Sequence, residues 1–375
     1  MTQKFFSTSF VKCDKCHLWS LRHLLILLQN VKFTMKKTFL FAILIGGLLA
    51  VKSCGGSEST DAEATFSEAD EKLLKQAQGF FKPLPEAKSF DRPIAALGRK
   101  LYFENALSIT GDMSCNSCHM LDKFGVDNEA TSPGHDGTRG DRNSPTVYNA
   151  YFHIAQFWDG RAADLFEQAK GPILNPIEMG MPDEASVKKA IEAIEAYKPL
   201  FAAAFPDDPN PINFDNIALA IAEFEHTLAT PAPFDDYLNG DLSALTDKQR
   251  KGLQTFINTG CITCHMGPGL GGQMFHKFGL INGQYWDFTG SKKIDEGRYA
   301  VTNNESDKYF FKVPSLRNVE KTHPYFHDGS VADLHTAVKI MAKTQNGRDL
   351  ELQEIQEIVD FLSSLTGSIP TFANN

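Results

Sequence analysis

Cys115-Asn116-Ser117-Cys118-His119 and Cys261-Ile262-Thr263-Cys264-His265 are two copies of one pattern, set in separate halves of a 375-residue chain. Cys-x-x-Cys-His is the attachment pattern for c-type haem. The two cysteines form thioethers to the porphyrin vinyl groups, and the adjacent histidine becomes an axial ligand of the iron. One match in a cysteine-poor chain could be chance; two, each following a helix-like segment, are hard to explain otherwise. Zinc could take four thiolates in a tetrahedron, but a long stretch separates the pairs and zinc leaves the histidine after each pair unexplained. A thioredoxin-like dithiol would want a βαβ context, which is missing.

Working outward, the chain is long enough for two domains and 42% hydrophobic, enough for ordinary cores. Residues 1–53 hold eight Lys/Arg and a single Asp, so the net charge of −9 arises entirely beyond them. An acidic body argues against nucleic acid as a partner. Met35 to Cys54 reads as an export signal. Lys36 and Lys37 are its basic start, and Phe39 to Val51 form an apolar stretch too short for a comfortable membrane span. Cys54 suggests cleavage before a lipidated cysteine; ordinary cleavage is the alternative, and Lys52 is unusual at that place. Met35 is then the true start and residues 1–34 an upstream artefact. A third match, Cys13-Asp14-Lys15-Cys16-His17, lies within them and would not be exported intact. All seven cysteines are thereby assigned, with none left for a structural disulfide.

Residues 54–65 read as a tether. Helices are expected over 67–81, 93–104, 160–170, 185–198, 213–230, 246–259, 331–343 and 350–365, from apolar periodicity and capping signals such as Thr246 with Gln249. Residues 121–149 and 266–329 read as loop, Pro231, Pro233 and Gly240 as a linker, and no run alternates well enough for a sheet. Gly98-Arg99-Lys100-Leu101-Tyr102-Phe103 before the first motif is echoed by Lys251-Gly252-Leu253-Gln254-Thr255-Phe256 before the second. Helix, haem motif, long loop and final helix is the plan of a small cytochrome c domain. The expected architecture is all-α: two such domains, 66–235 and 236–375, packed across a haem–haem interface, each holding one covalently bound haem c.

The nature of each iron's second ligand decides function. His135 lies in the Gly-rich stretch Pro133-Gly134-His135-Asp136-Gly137; a loop histidine there either swings on and off a metal or simply faces solvent. Glu178 in Asn175-Pro176-Ile177-Glu178-Met179 is, on its own, a surface carboxylate as readily as a catalytic one.

Taken together, several stretches resemble the bacterial dihaem cytochrome c peroxidases over residues 66–366. They are Leu107-Ser108 to His119, Arg142-Asn143-Ser144-Pro145-Thr146, Gln156-Phe157-Trp158-Asp159-Gly160-Arg161, Asn175 to Met179, Pro314-Ser315-Leu316-Arg317-Asn318 and Tyr325-Phe326-His327-Asp328-Gly329. The resemblance implies that His119 is the proximal ligand of a peroxidatic haem and that His135 ligates the same iron at rest and leaves on activation. It implies Gln168 and Glu178 as a distal pair, Trp158 between the haems, His265 as proximal ligand of an electron-transfer haem and Met341 as its distal ligand. Met266 is too near His265 to reach the opposite face; Met274 is a rival. Asn143, Thr322 and Pro324 match positions that supply oxygen ligands to an interdomain calcium ion, a suitable donor set for a hard cation, although each also suits plain turn chemistry.

The implied activity is reduction of hydrogen peroxide with electrons from a small cytochrome c or cupredoxin. Glu178 would move a proton between the two peroxide oxygens, and Gln168 would hydrogen-bond the bound peroxide. The implied setting is periplasmic, the membrane reached only through a lipid anchor, and the assembly a homodimer. A non-enzymatic dihaem electron carrier or redox sensor, with His135 permanently bound, is the alternative. A dihaem oxidase acting on a partner protein is a third, disfavoured because such relatives carry tyrosine at the place of Met341.

Overall fold

Two helix crossings, each closed by a glycine, organise residues 66–373, which the computed structural model describes. In order, the helices are α1 (Glu68–Phe80), α2 (Pro93–Tyr102), α3 (Cys115–Cys118), α4 (Leu165–Leu174), α5 (Glu184–Glu192), α6 (Tyr197–Ala204), α7 (Phe214–Glu225), α8 (Pro233–Leu238), α9 (Asp247–Thr259), α10 (Trp286–Thr289), α11 (Tyr299–Thr302), α12 (Leu334–Asn346) and α13 (Leu352–Ser363). Where α2 meets α7, a Cβ on Gly98 would lie 1.8 Å from the Ala220 carbonyl oxygen and 2.8 Å from Phe224 Cβ. Where α9 meets α13, a Cβ on Gly252 would lie 1.9 Å from the Glu357 carbonyl oxygen and 2.9 Å from Phe361 Cβ. Only glycine permits either approach, so the weak internal repeat in sequence is a repeated crossing in space.

Each crossing seeds its own core. Leu101, Tyr102, Ile217, Ile221 and Phe224 are buried in the first. Phe234, Leu253, Phe256, Phe361 and Leu362 are buried in the second. The chain ends cross over. Leu73, Ala77 and Phe81, in and just after α1, pack in the second core, while Ile369, Phe372 and Ala373 pack on the first. Packing therefore does not follow the contiguous halves 66–235 and 236–375 at the two ends.

The expected linker is not a free strap. Thr230 is fully buried; its hydroxyl accepts from Asn149 Nδ2 at 2.8 Å and from Asn318 Nδ2 at 2.9 Å. Pro233 then opens α8, a position where its missing N–H costs nothing. Arg317, 1% exposed, forms a two-pronged pair with Asp235 at 2.6 and 2.8 Å, fixing the 314–318 segment to α8.

Most expected helices form, with boundaries moved by capping. Thr246 and Gln249 make the anticipated capping box, and Gly260 ends α9 at φ +90°. The helix expected at 160–170 begins at Leu165 instead, because Asp164 caps it through the Glu167 N–H at 2.9 Å. The stretch 185–198 divides into α5 and α6; Pro199 has no N–H to continue a helix and sits in the first turn of a new one. Asp333 and Gly347 likewise shift the helix expected at 331–343 to α12. One expectation fails outright. Within 266–329 two three-residue strands, β1 (Phe275–Lys277) and β2 (Phe310–Lys312), pair antiparallel with Phe275 opposite Lys312. Strands this short carry no readable alternation. The expected start at Met35, the signal 35–53, the tether 54–65, Cys54 and the third motif lie outside the described residues.

Candidate haem sites

The four cysteines of the two described motifs are free. Cys115 packs on the first core and Cys261 on the second, so the two pairs cannot form one four-thiolate zinc site. Burial pushes both thiols up to about 12, holding them as neutral thiols.

The second motif follows the Gly260 cap directly, the Cys261–Thr263 turn leading to His265. His265 Nδ1 lies 2.8 Å from the Leu270 carbonyl oxygen. Donating there puts the ring proton on Nδ1 and leaves Nε2 as the free lone pair, the tautomer a metal needs. Burial depresses the His265 pKa to about 4, so the ring is neutral. One cavity is lined by Cys261, Cys264, His265 and Met341, and also by Trp158 and Lys312. Met341 packs against the Phe278, Tyr285 and Phe311 cluster; its rival Met274 is half-buried and does not line this cavity, and Met266 is exposed. Thioether-forming cysteines, a neutral histidine with an oriented ring, apolar walls and a soft thioether in one cavity fit a haem c.

At the first motif α3 carries Cys115 and Cys118, and the His119 amide closes back on the Cys115 carbonyl at 3.0 Å. Tyr102 donates to the His119 carbonyl at 2.7 Å. Burial lowers the His119 pKa, again giving the neutral ring a metal requires. The Gly125 and Pro145 carbonyls favour protonation of that ring, yet neither completes a hydrogen bond to Nδ1, which is buried and unpartnered. Two thiols and a neutral histidine fit a second haem c here.

His135 and Glu178 lie on two loops that interlock. A Cβ on Gly134 would lie 1.6 Å from the Ile177 carbonyl oxygen, and one on Gly180 would lie 2.6 Å from the His135 ring. The His135 amide donates to the Glu178 carbonyl at 2.8 Å, and its Nε2 lies 3.1 Å from the Pro176 carbonyl oxygen. Donation from Nε2 leaves Nδ1 with the lone pair, buried and unpartnered. Carbonyls of α4 at Pro172 and Ile173 accept from Met179 and Met181 at 3.1 and 2.9 Å, seating the Glu178 turn on that helix. Asn175 Nδ2 donates to Glu178 Oε1 at 2.9 Å, leaving Oε2 free. Burial raises the Glu178 pKa, while the Arg161 charge and the Asn175 hydrogen bond oppose it. Gln168 lies half-buried on α4.

Trp158 Nε1 donates to the Asn143 carbonyl at 2.9 Å, and its ring meets His327 edge-on at 6.4 Å. Asn143, Thr322 and Pro324 line the same cavity as Trp158. Asn143 Nδ2 donates to the Glu129 carbonyl at 2.9 Å, which leaves its amide oxygen free to accept a cation. Sequence reading missed three groups here. Asn175 as the partner of Glu178 lay inside a quoted motif without an assigned role. Lys312 and His153 carried no local signal at all.

A family model described as di-haem cytochrome c peroxidase matches residues 92–243. The chain is 47% identical to the cytochrome c551 peroxidase of Pseudomonas aeruginosa, covering 80% of this chain and 87% of that protein. It is 43% identical to the cytochrome c551 peroxidase of Nitrosomonas europaea, covering 78% of this chain and 85% of that one. Among solved structures, a MauG-like protein associated with microbial copper homeostasis superposes with a TM-score of 0.68 at 28% identity, covering 78% of this chain and 96% of that one. The chain belongs to the di-haem cytochrome c peroxidase family.

Proposed function

We propose that this dihaem peroxidase handles hydrogen peroxide at the first motif and receives electrons through the second. The reaction is H2O2 + 2 H⁺ + 2 e⁻ → 2 H2O. When bound, the haems would supply redox-active iron; His265 and Met341 would hold the second, a ligand pair that favours a higher potential. The observation that carries the reading is Glu178: half-buried, with Oε1 held by Asn175 and Oε2 free of any side-chain partner. Its raised pKa favours a carboxyl group that both takes and returns a proton. Oε2 takes the proton of one peroxide oxygen and returns it to the other, so that water leaves. Gln168, from α4, orients the substrate by hydrogen bonding.

His135, whose Nδ1 is buried without a partner, would help hold the first haem at rest and release it on activation. Its seat on the Pro176–Glu178 turn supports this, because one movement of the interlocked loops would shift the ligand and the acid–base group together. Trp158 carries electronic coupling between the sites. Calcium bound by Asn143, Thr322 and Pro324 stiffens the junction beneath Trp158, since Asn143 holds the indole through its carbonyl. Electrons come from a small cytochrome c or cupredoxin. The protein is exported through residues 35–53, because haem c is attached after export, is anchored by lipid on Cys54, and works as a homodimer. No described helix is long and apolar enough to cross a membrane.

Glu178→Gln tests the carrying observation. Turnover is expected to collapse with both haem spectra intact; unchanged turnover would remove Glu178 from the chemistry.

A further inference from the structure

Lys312 ends β2 inside the cavity of the second motif and is 7% exposed. Its backbone N–H donates to the Trp158 carbonyl at 2.7 Å, fixing where the side chain starts. Its ammonium lies 3.0 Å from His153 Nδ1, which accepts. The ring proton of His153 is therefore on Nε2, and that atom is buried with no acceptor. Burial lowers the Lys312 pKa to about 8, with no neighbouring carboxylate among the causes. Burial, then the Lys312 charge, holds His153 neutral. At neutral pH the cavity wall thus presents a buried cation without a counter-ion and an imidazole N–H without an acceptor. Proteins tolerate neither without a compensating partner. Both donors face the same need, an anionic oxygen acceptor, and both residues line the cavity shared by Cys261, His265 and Met341.

We propose that Lys312 and His153 form a carboxylate-binding dyad that takes a propionate of the haem in this cavity. The proposal rests on the reading of the cavity as the second haem site. Haem brings two carboxylates, so it supplies the missing charge and acceptor at once. The dyad then does two things beyond anchoring. It places a positive charge beside the second haem, which favours the reduced state and keeps that haem the high-potential one. Through the Lys312 amide on the Trp158 carbonyl, it also ties the position of the propionate to that of the tryptophan.

The experiment uses the full holoprotein with Lys312→Met and, as the charge-conserving control, Lys312→Arg. Haem per chain, the resonance Raman propionate bending modes and the reduction potential of each haem are measured. With both haems attached, Lys312→Met is expected to shift the propionate mode and lower the potential of the second haem, while Lys312→Arg keeps both near wild type. An unmoved mode and potential in Lys312→Met overturns the dyad. If that variant does not fold, His153→Gln is read by the same modes, and an unmoved signal there overturns it equally. A wild-type chain with no haem attached at Cys261 and Cys264, read by peptide mass spectrometry, would instead overturn the reading of the cavity, a result separable from failure of the dyad alone.

Discussion

The two Cys-x-x-Cys-His motifs share their two cysteines and histidine, yet the chain surrounds them differently. His265 is oriented by the Leu270 carbonyl at 2.8 Å and shares a cavity with Met341. His119 has a buried Nδ1 with no partner, and the histidine proposed to face it sits on a loop locked to the Glu178 turn. One site holds its ring and shares its cavity with Met341, a thioether from the interior of helix α12. The other sets its ring beside the Gly125 and Pro145 carbonyls, and the second ligand proposed for it, His135, lies on a loop. A covalent motif therefore says where haem is attached. The groups around it decide whether the iron keeps two protein ligands or exchanges one for substrate.

The sharpest way to break this contrast is at Glu178. If acid–base work belongs to the first site alone, Glu178→Gln lowers turnover by about 10²–10⁴-fold and leaves the second haem's spectrum and potential untouched. A loss that tracks changes at the second haem would erase the division of labour.

A smaller effect sharpens the comparison at the level of folding. Gly98→Ala and Gly252→Ala each force a Cβ against a backbone carbonyl, an overpacking cost of about 1–3 kcal/mol each. Thermal unfolding followed in the Soret bands should show the first substitution disturbing the His119 haem and the second the His265 haem. Equal disturbance of both haems by either variant would mean that the two crossings do not govern separate sites.

The smallest expected effect is in pH dependence. Glu178 must be ionised to accept a proton from peroxide, so kcat/KM falls as pH drops through its pKa. Burial sets that pKa above the usual carboxylate value and Arg161 opposes the rise. Arg161→Gln removes an opposing influence, so the acid limb of the kcat/KM profile should move to higher pH. A limb that stays put or moves down would separate Arg161 from Glu178.

How much of this was legible in sequence depended on how local each signal was. The motifs, the Thr246–Gln249 cap and the paired Gly98 and Gly252 segments lie within a few residues and could be read. Helix starts at Leu165 and Leu334 were misplaced because aspartate caps outweighed apolar periodicity, and Pro199 divided a helix that periodicity alone would continue. The β1–β2 pair was missed because three residues hold no period. At the site, the resemblance supplied Glu178 and Met341, but not that Asn175 holds one carboxylate oxygen. Nothing local could reveal Lys312 and His153, which meet across 159 residues.

The division between a fixed second site and an exchangeable first one is tested most directly by reducing the holoprotein with one electron equivalent. Iron spin state and peroxide turnover are then measured against the fully oxidised protein, with a reduced small cytochrome as donor. The expected result is a first haem that becomes high-spin and supports turnover after half-reduction, while the second stays low-spin with its methionine signature. Two haems that remain low-spin and inert in both states would contradict it and leave a dihaem carrier or sensor in which His135 never departs.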